Sequence, residues 1–393
     1  MTCIRTRPSA DRPVRSRPPV FRVAALAASM LVLANMPGSA VGADDAWTTA
    51  RGDVQGTGTV AQALPAELSV IWEHETGEAI ESTPVVADGR VFVADVMGKL
   101  TAIDLQSGKP LWTHDYETGF NASPTLSGDR LVIGDIDGNV YALNVADGSE
   151  IWTAQTDGTI DGCATFFEDD VLVTSQDGSL YRLSGKTGEQ VWVYETGDQI
   201  RCSPTLAGTR TFLGGCDGNL HVVDVRSGQA VGDLLPLGGP TGSTVSVRDQ
   251  QVVVATMEGM IFAFDWRDGT MIWEYTDPDR AQEYRNSAAM TDDLVIVSSK
   301  NKKVDAIDRK TGQHRWRYSL RRHSDASPVV AGNDVWIAAT DGRLVRLDLT
   351  TGKEKSVTEF RGGLYGSPAI LSDSMIIADD DGVVRRLGPA PQK

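Results

Sequence analysis

A forty-residue period runs through this chain and limits what it can fold into. Trp72, Trp112, Trp152 and Trp192 recur at equal spacing, and the series continues through Gly232, Trp273 and Trp316 to Ser356. A second marker keeps the same phase. It reads Thr83-Pro84, Ser123-Pro124, Cys163-Ala164, Ser203-Pro204, Ser243-Thr244, Ser287-Ala288, Ser327-Pro328 and Ser367-Pro368. Within a unit, short apolar runs alternate with turn pairs. In the second unit the runs lie at 122–126, 130–134 and 140–143 and open again at Ile151-Trp152, separated by Ser127-Gly128, Asp137-Gly138 and Asp147-Gly148. Such pairs between β-branched runs are hairpin signals, because Gly takes φ > 0 without steric cost. Short strands at this period predict an all-β fold, an eight-bladed β-propeller of four-stranded antiparallel blades.

The ring has to close, because an open propeller would expose unpaired sheet edges. The last unit stops at its third strand, Val383 to Leu387, while a spare strand, Leu68 to Glu75, stands at the other end of the repeats around Trp72. The expectation is that this strand completes the eighth blade. The propeller then spans 66–388, with 389–393 a tail.

Residues 1–43 read as a secretory signal peptide. Arg5, Arg7, Arg12, Arg15, Arg17 and Arg22 precede an apolar run from Val23 to Met36, and cleavage is expected after Ala43 or Ala40. The run is too short to span a bilayer, so no transmembrane segment is expected after signal removal. A retained anchor is the alternative. The expected location is periplasmic or extracellular, and no Cys near the cleavage site offers a lipid-attachment signal. Residues 44–65 read as a polar lead-in whose glycines favour loop, so Trp47, outside the repeats, is expected to matter little to stability.

The net charge of −16 becomes more negative once the six arginines and one Asp of the signal are removed. No basic stripe offers itself to nucleic acid, and anionic membrane surfaces repel such a chain. Three cysteines remain: Cys163, Cys202 and Cys216. Export places them in an oxidising compartment. Cys202 and Cys216 lie at the two ends of one hairpin, where a bridge and an off-by-one register with free thiols are both open readings.

The run from Ala102 to Trp112, which contains Asp104, Gly108 and the Trp itself, resembles the tryptophan-docking motif of pyrroloquinoline-quinone (PQQ) type propellers. It recurs at 142–152, 263–273 and 306–316. Within that superfamily the compact length is similar to the propeller of the outer-membrane β-barrel assembly machinery. The resemblance implies an exported, non-catalytic interaction scaffold with a protein partner in the cell envelope, acting as a monomer. The Trp series (Trp72, Trp112, Trp152, Trp192, Trp273 and Trp316) then has a structural docking role. An indole can lie between neighbouring blades and place its N–H on a backbone carbonyl.

Function has to come from what varies between repeats. Two residues before each Ser-Pro marker stand Glu81, Asn121, Asp161, Arg201, Thr241, Arg285, Asp325 and Tyr365. The position after each is nearly always small, as befits strands converging on an axis. The polar set is expected at one channel mouth, as a hydrated lining or as a ligand or ion site. Glu81, Asn121, Asp161 and Arg201 fall on successive blades. The resemblance to quinoprotein dehydrogenases makes the first three candidate calcium ligands and all four candidate PQQ-site residues, which is the enzyme alternative. A binding module for a periplasmic ligand is the other. Trp266 and Trp336 are not clearly placed to stack a planar cofactor. For partner contact, the candidates are Tyr284 and Arg285 on the longer connection between the fifth and sixth units, and the basic loop Arg321, Arg322 and His323.

Overall fold

The computed structural model describes residues 46–278 and 282–389. The signal peptide, its cleavage site and the last four residues of the tail lie outside the described residues. Eight β-sheets follow one another around an axis, and the described residues contain no helix. We number the blades by their inner strands. Blade 1 spans 85–115, blade 2 125–155, blade 3 165–195, blade 4 205–236, blade 5 246–276, blade 6 289–319 and blade 7 329–359. Blade 8 takes Ala369–Ile370, Met375–Ala378 and Val383–Gly388 from the C-terminal end and Ser69–Glu75 from the N-terminal end. The two ends pair antiparallel, with Trp72 opposite Arg386 and Glu75 opposite Val383, so the ring is closed by the expected strand.

The docking series follows one geometry. Nε1 of Trp72, Trp112, Trp152, Trp192, Trp273 and Trp316 donates to the carbonyl of Leu105, Val145, Gly185, Val225, Arg309 and Leu349 in the next blade, at 2.7–3.1 Å. Each indole also covers a turn glycine of that blade. Gly188, at φ 73°, is the example: a Cβ there would lie 2.6 Å from Trp152 Cε3. The glycine is therefore required twice, by its positive φ and by the ring above it.

A β-bulge aims each indole, a feature the sequence reading did not contain. Trp152 pairs with Ala142 while Glu150 pairs with Leu143, which leaves Ile151 as the extra residue. The same slip leaves out Ile71, Leu111, Val191, Ile272, Arg315 and Lys355. A bulge rotates the following side chain relative to the strand. The extra residue is pushed outward, and this is why Ile71, Leu111, Ile151, Val191 and Ile272 are exposed apolar side chains.

The lead-in is not a loose loop. From Trp47 to Val60 it runs from blade to blade across the inner strands. Trp47 exchanges backbone hydrogen bonds with Val86 at 2.8 Å, and carbonyls of Thr48, Val54, Gln55, Thr57 and Gly58 accept from inner-strand N–H groups of blades 2, 4, 5, 6 and 7. Thr59–Val60 then adds a parallel strand to blade 7. Trp47 is 1% exposed and belongs to the core cluster that spans blades 7, 8 and 1. The expectation that Trp47 matters little is thus corrected: the inner strands offer unpaired backbone groups on the axis, and this segment satisfies them.

Candidate channel-mouth site

The Ser-Pro marker builds a girdle around the axis. Backbone N–H groups of Thr83, Cys163, Ser203, Thr244, Ser287, Ser327 and Ser367 donate to hydroxyls of Ser123, Ser203, Thr244, Ser287, Ser327, Ser367 and Thr83 at 2.8–3.1 Å. Each bond joins neighbouring blades. At the remaining junction the hydroxyl position is Cys163, whose thiol is a weak acceptor. A hydroxyl both accepts and donates, which explains why Ser or Thr recurs there.

Above the girdle lies the polar ring, and below it lies the lead-in. Between them lies a cavity of about 170 Å³ that is open to solvent. Glu81, Asn121, Asp161, Asp325 and Tyr365 line its upper part, and Ala50 and Arg51 line its floor. The ring side chains form a network. Asn121 Nδ2 donates to Asp161 Oδ1 at 3.0 Å, and Gln176 Nε2 donates to Asp161 Oδ2 at 2.6 Å. Lys300 pairs with Asp325, which also faces His323 Nε2 at 3.5 Å. Burial first, then the charges of Asp380, Asp325 and Glu81, push the Tyr365 hydroxyl above its ordinary pKa, so it stays a neutral donor.

Three ring residues predicted for the site do not line the cavity. Thr241 is buried and turned into its blade, where its hydroxyl donates to Ala255 O at 2.6 Å. Arg201 bonds Gln199 Oε1 at 3.1 Å, and Arg285 pairs with Glu283 at 2.6 Å. Arg201 therefore stands apart from Glu81, Asn121 and Asp161, which do converge. Neither candidate stacking indole reaches the cavity. Trp266 donates to Asp249 O at 3.0 Å, and Trp336 is buried under the Arg346 guanidinium, 5.3 Å from its ring centre. Among the described residues no group of three His, Cys, Asp or Glu side chains is arranged to hold a metal ion.

Tyr284 is a correction. It is 0% exposed, packed in the blade 5–6 core with Tyr275, Met290 and Val295, and cannot present itself to a partner. It holds the position just before the polar ring, which is Ile80, Phe120, Ile160, Ile200 and Leu364 in other repeats, all buried. Reading that column would have revealed an anchor. Arg285, Arg321 and Arg322 are exposed, and His323 is half-buried. Arg321 faces Asp341 at 3.6 Å and Glu359 at 3.9 Å.

Cys163, Cys202 and Cys216 are free thiols. The hairpin pairs Thr205 with Phe212 and Ala207 with Arg210, and its ladder ends at Thr205, short of Cys202. Cys202 donates to Gly214 O at 3.2 Å, and burial raises its pKa to about 11.

Sequence reasoning missed Arg51. It is 6% exposed, and Nη2 donates to Ala288 O and Pro328 O, both at 3.0 Å. Burial lowers its pKa to about 10, against the opposing charge of Asp53, so it remains a cation at neutral pH. Its Nε and Nη1 find no acceptor.

The upper turns of blades 1 and 2 expose Met97 (65%) and Ile136 (39%) at the rim of the same mouth. No helix among the described residues is long and apolar enough to cross a membrane.

Comparison with known proteins agrees with this architecture. The outer membrane protein assembly factor BamB of Legionella pneumophila (strain Paris) is 24% identical over 135 residues, which cover 34% of each chain. A quinoprotein ethanol dehydrogenase of Pseudomonas aeruginosa is 30% identical over 142 residues, 30% of this chain and 23% of that one. The match thus spans about a third or less of either relative's length. The crystal structure of BamB from Moraxella catarrhalis superposes with a TM-score of 0.72 at 21% identity, covering 82% of this chain and all of that one. The family model described as outer membrane protein assembly factor BamB matches residues 33–116, 96–235 and 235–390, and the chain, a PQQ-like propeller of BamB type, belongs to that family.

Proposed function

We propose that this chain is an exported, non-catalytic scaffold that assists outer-membrane protein assembly by docking a protein partner on its channel-mouth face. The observation that carries the reading is the division of labour within each repeat. Trp, turn Gly and girdle hydroxyl are spent on blade junctions, while the mouth carries exposed side chains that differ from blade to blade. Met97 and Ile136 supply an apolar spot on neighbouring turns, and Arg285, Arg321 and Arg322 supply charge on the opposite arc. An apolar centre beside charged residues is what a protein interface uses, with Met and Arg enriched. Loops on a rigid scaffold are also where binding residues concentrate.

The test is complementation. Cells lacking the gene should hold less folded outer-membrane barrel protein. The wild-type chain should restore it, and the Met97→Lys/Ile136→Lys chain should not, although both melt at the same temperature. Full rescue by the double variant would refute the mouth as the docking face.

The quinoprotein reading rests on the dehydrogenase relative and on Glu81, Asn121 and Asp161 sharing one cavity. The residues fit PQQ poorly. The cavity of about 170 Å³ is below the roughly 300 Å³ at which pockets for drug-sized ligands begin, and Tyr365 is the one aromatic side chain lining it. Addition of PQQ with Ca2+ should give no thermal shift. A saturable shift abolished by Glu81→Gln would favour the enzyme.

A further inference from the structure

One blade junction lacks a filling that both its neighbours have. Between blades 1 and 2 the Tyr116 ring stands 4.5 Å from that of Tyr141, and the Phe120 ring stands 6.4 Å from it. Between blades 3 and 4 the Tyr194 hydroxyl meets His221 Nδ1 at 3.0 Å. At the junction of blades 2 and 3, one period away, Thr156 stands for Tyr116, Ile160 for Phe120 and Ala154 for Tyr194. Thr156 is buried, and its hydroxyl lies 3.1 Å from Gly138 O and 3.0 Å from Gly158 O, turned toward the backbone. Tyr181, the counterpart of Tyr141, is left with no ring contact among the described residues. It walls a cavity of about 310 Å³.

The charge of this cavity is one-sided. Asp157, Asp177 and Glu195 line it, and no Lys, Arg or His does. Asp177 is committed to the fold. It accepts from Ser179 N at 2.8 Å, from Asp157 N at 3.0 Å and from the Tyr181 hydroxyl at 2.7 Å, and the last bond pins the ring. Asp157 and Glu195 are exposed, and neither enters an ion pair among the described residues. Two free carboxylates beside a fixed aromatic ring call for a cation, which the ring quadrupole also attracts. A guanidinium suits them better than an ammonium. It is planar, stacks on aromatic faces, presents forked donors to carboxylates and is more weakly hydrated. The volume stands at the lower edge of the roughly 300–1,000 Å³ of small-ligand pockets, room for one side chain rather than a folded segment.

We infer that this cavity is a socket for an arginine side chain of the docked partner, its guanidinium against Tyr181 and forked to Asp157 and Glu195. The inference deepens the reading of the mouth as the docking face and rests on it. The Asp177 turn follows the turns of Met97 and Ile136 around the same rim, one period apart. The socket therefore places a charged contact one blade beyond the apolar spot.

The test is an NMR titration of the isotope-labelled mature chain with Nα-acetyl-arginine amide. The lysine analogue and the neutral isostere Nα-acetyl-citrulline amide are the comparisons. The arginine probe should shift the amides of Asp157, Ser179 and Glu195 saturably at millimolar concentration, the lysine probe should bind more weakly, and the citrulline probe should not saturate. Glu195→Gln, at an exposed position, should weaken binding about threefold or more and leave the melting temperature unchanged. Thr156→Tyr should abolish binding by restoring the ring that fills the neighbouring junction, and Tyr116 shows that the repeat accommodates tyrosine there. Should that variant not fold, Glu195→Gln decides alone. No saturation up to about 50 mM would overturn the inference. So would lysine or citrulline binding as tightly as arginine, or an affinity indifferent to Glu195→Gln. Single capped residues read the socket by itself, so a failed titration is distinct from a failed complementation contrast at Met97 and Ile136.

Discussion

Two blade junctions make the logic of this ring visible. Between blades 2 and 3, Trp152 is 6% exposed, lies over Gly188 and donates to Gly185 O at 2.9 Å. Between blades 7 and 8 the corresponding position is Ser356. The reason is topological. Each indole docks on the turn between the third and fourth strands of the next blade, and blade 8 has no such turn, because its fourth strand arrives from the N-terminal end. An indole at 356 would have no glycine to cover. Arg346 does the bonding instead. It stacks on Trp336, pairs with Asp334, and donates to Ala66 O at 2.7 Å and Pro65 O at 3.3 Å, just ahead of the closing strand. The junction between blades 4 and 5 is a third solution. The outer strand breaks at Gly232, and Leu235 covers Gly269 while packing on the blade 5 core. A repeat therefore specifies a junction only where the neighbour offers the matching half.

The largest expected effect comes from removing the closing strand. Deleting residues 66–76 strips blade 8 of its outer strand and leaves Val383–Gly388 as an open edge. Loss of cooperative unfolding and aggregation on concentration should follow, read by circular dichroism and light scattering. Next comes Trp152→Ala, which should cost ~3–5 kcal/mol in urea unfolding, since a large buried ring leaves a cavity. Trp47→Ala should cost a comparable ~3–5 kcal/mol, because that ring is also buried although it lies outside every repeat. A Trp47 variant as stable as wild type would mean that the lead-in does not pack as described.

Arg346→Met tests the substitute junction. It removes the guanidinium, and with it the stacking on Trp336, the pair with Asp334 and the donors to Pro65 and Ala66, and it should cost ~1.5–3 kcal/mol in the same urea assay. Ser356→Trp should change stability by less than ~0.5 kcal/mol, as surface changes do. A gain of the size lost in Trp152→Ala would show that the platform argument is wrong.

Much of the fold was legible because a repeat announces each structural device six times or more. Trp, turn Gly and girdle Ser could be read as columns, and the missing fourth strand by subtraction. The bulge was not, since Ile151 before Trp152 looks like an ordinary strand residue until pairing partners are known. The lead-in was illegible for a different reason. It has no period, and its hydrogen bonds exist only once the inner strands of several blades have converged. Arg51 in a glycine-rich polar stretch reads as solvated, and only the assembled ring buries it. At the mouth, Glu81, Asn121 and Asp161 were found from their column. Thr241, Arg201 and Arg285 shared that column and yet turned elsewhere, because side-chain direction depends on partners such as Ala255, Gln199 and Glu283. Tyr284 was misread as surface because its neighbours on that connection are polar.

Two sets of exposed apolar residues have different origins. Leu111, Ile151 and Val191 are exposed by the bulges that aim the docking indoles, whereas Met97 and Ile136 serve no junction. The scaffold reading requires that the second set meets the partner. Site-directed photocrosslinking in the intact cell envelope separates them most directly, with a photoreactive residue at position 97 in one chain and at position 111 in another. The account predicts a discrete crosslinked protein from position 97 that Ile136→Lys in the same chain would weaken, and none from position 111. Crosslinking from position 111 alone would contradict it, and would move the working surface from the channel mouth to the outer edge of the blades.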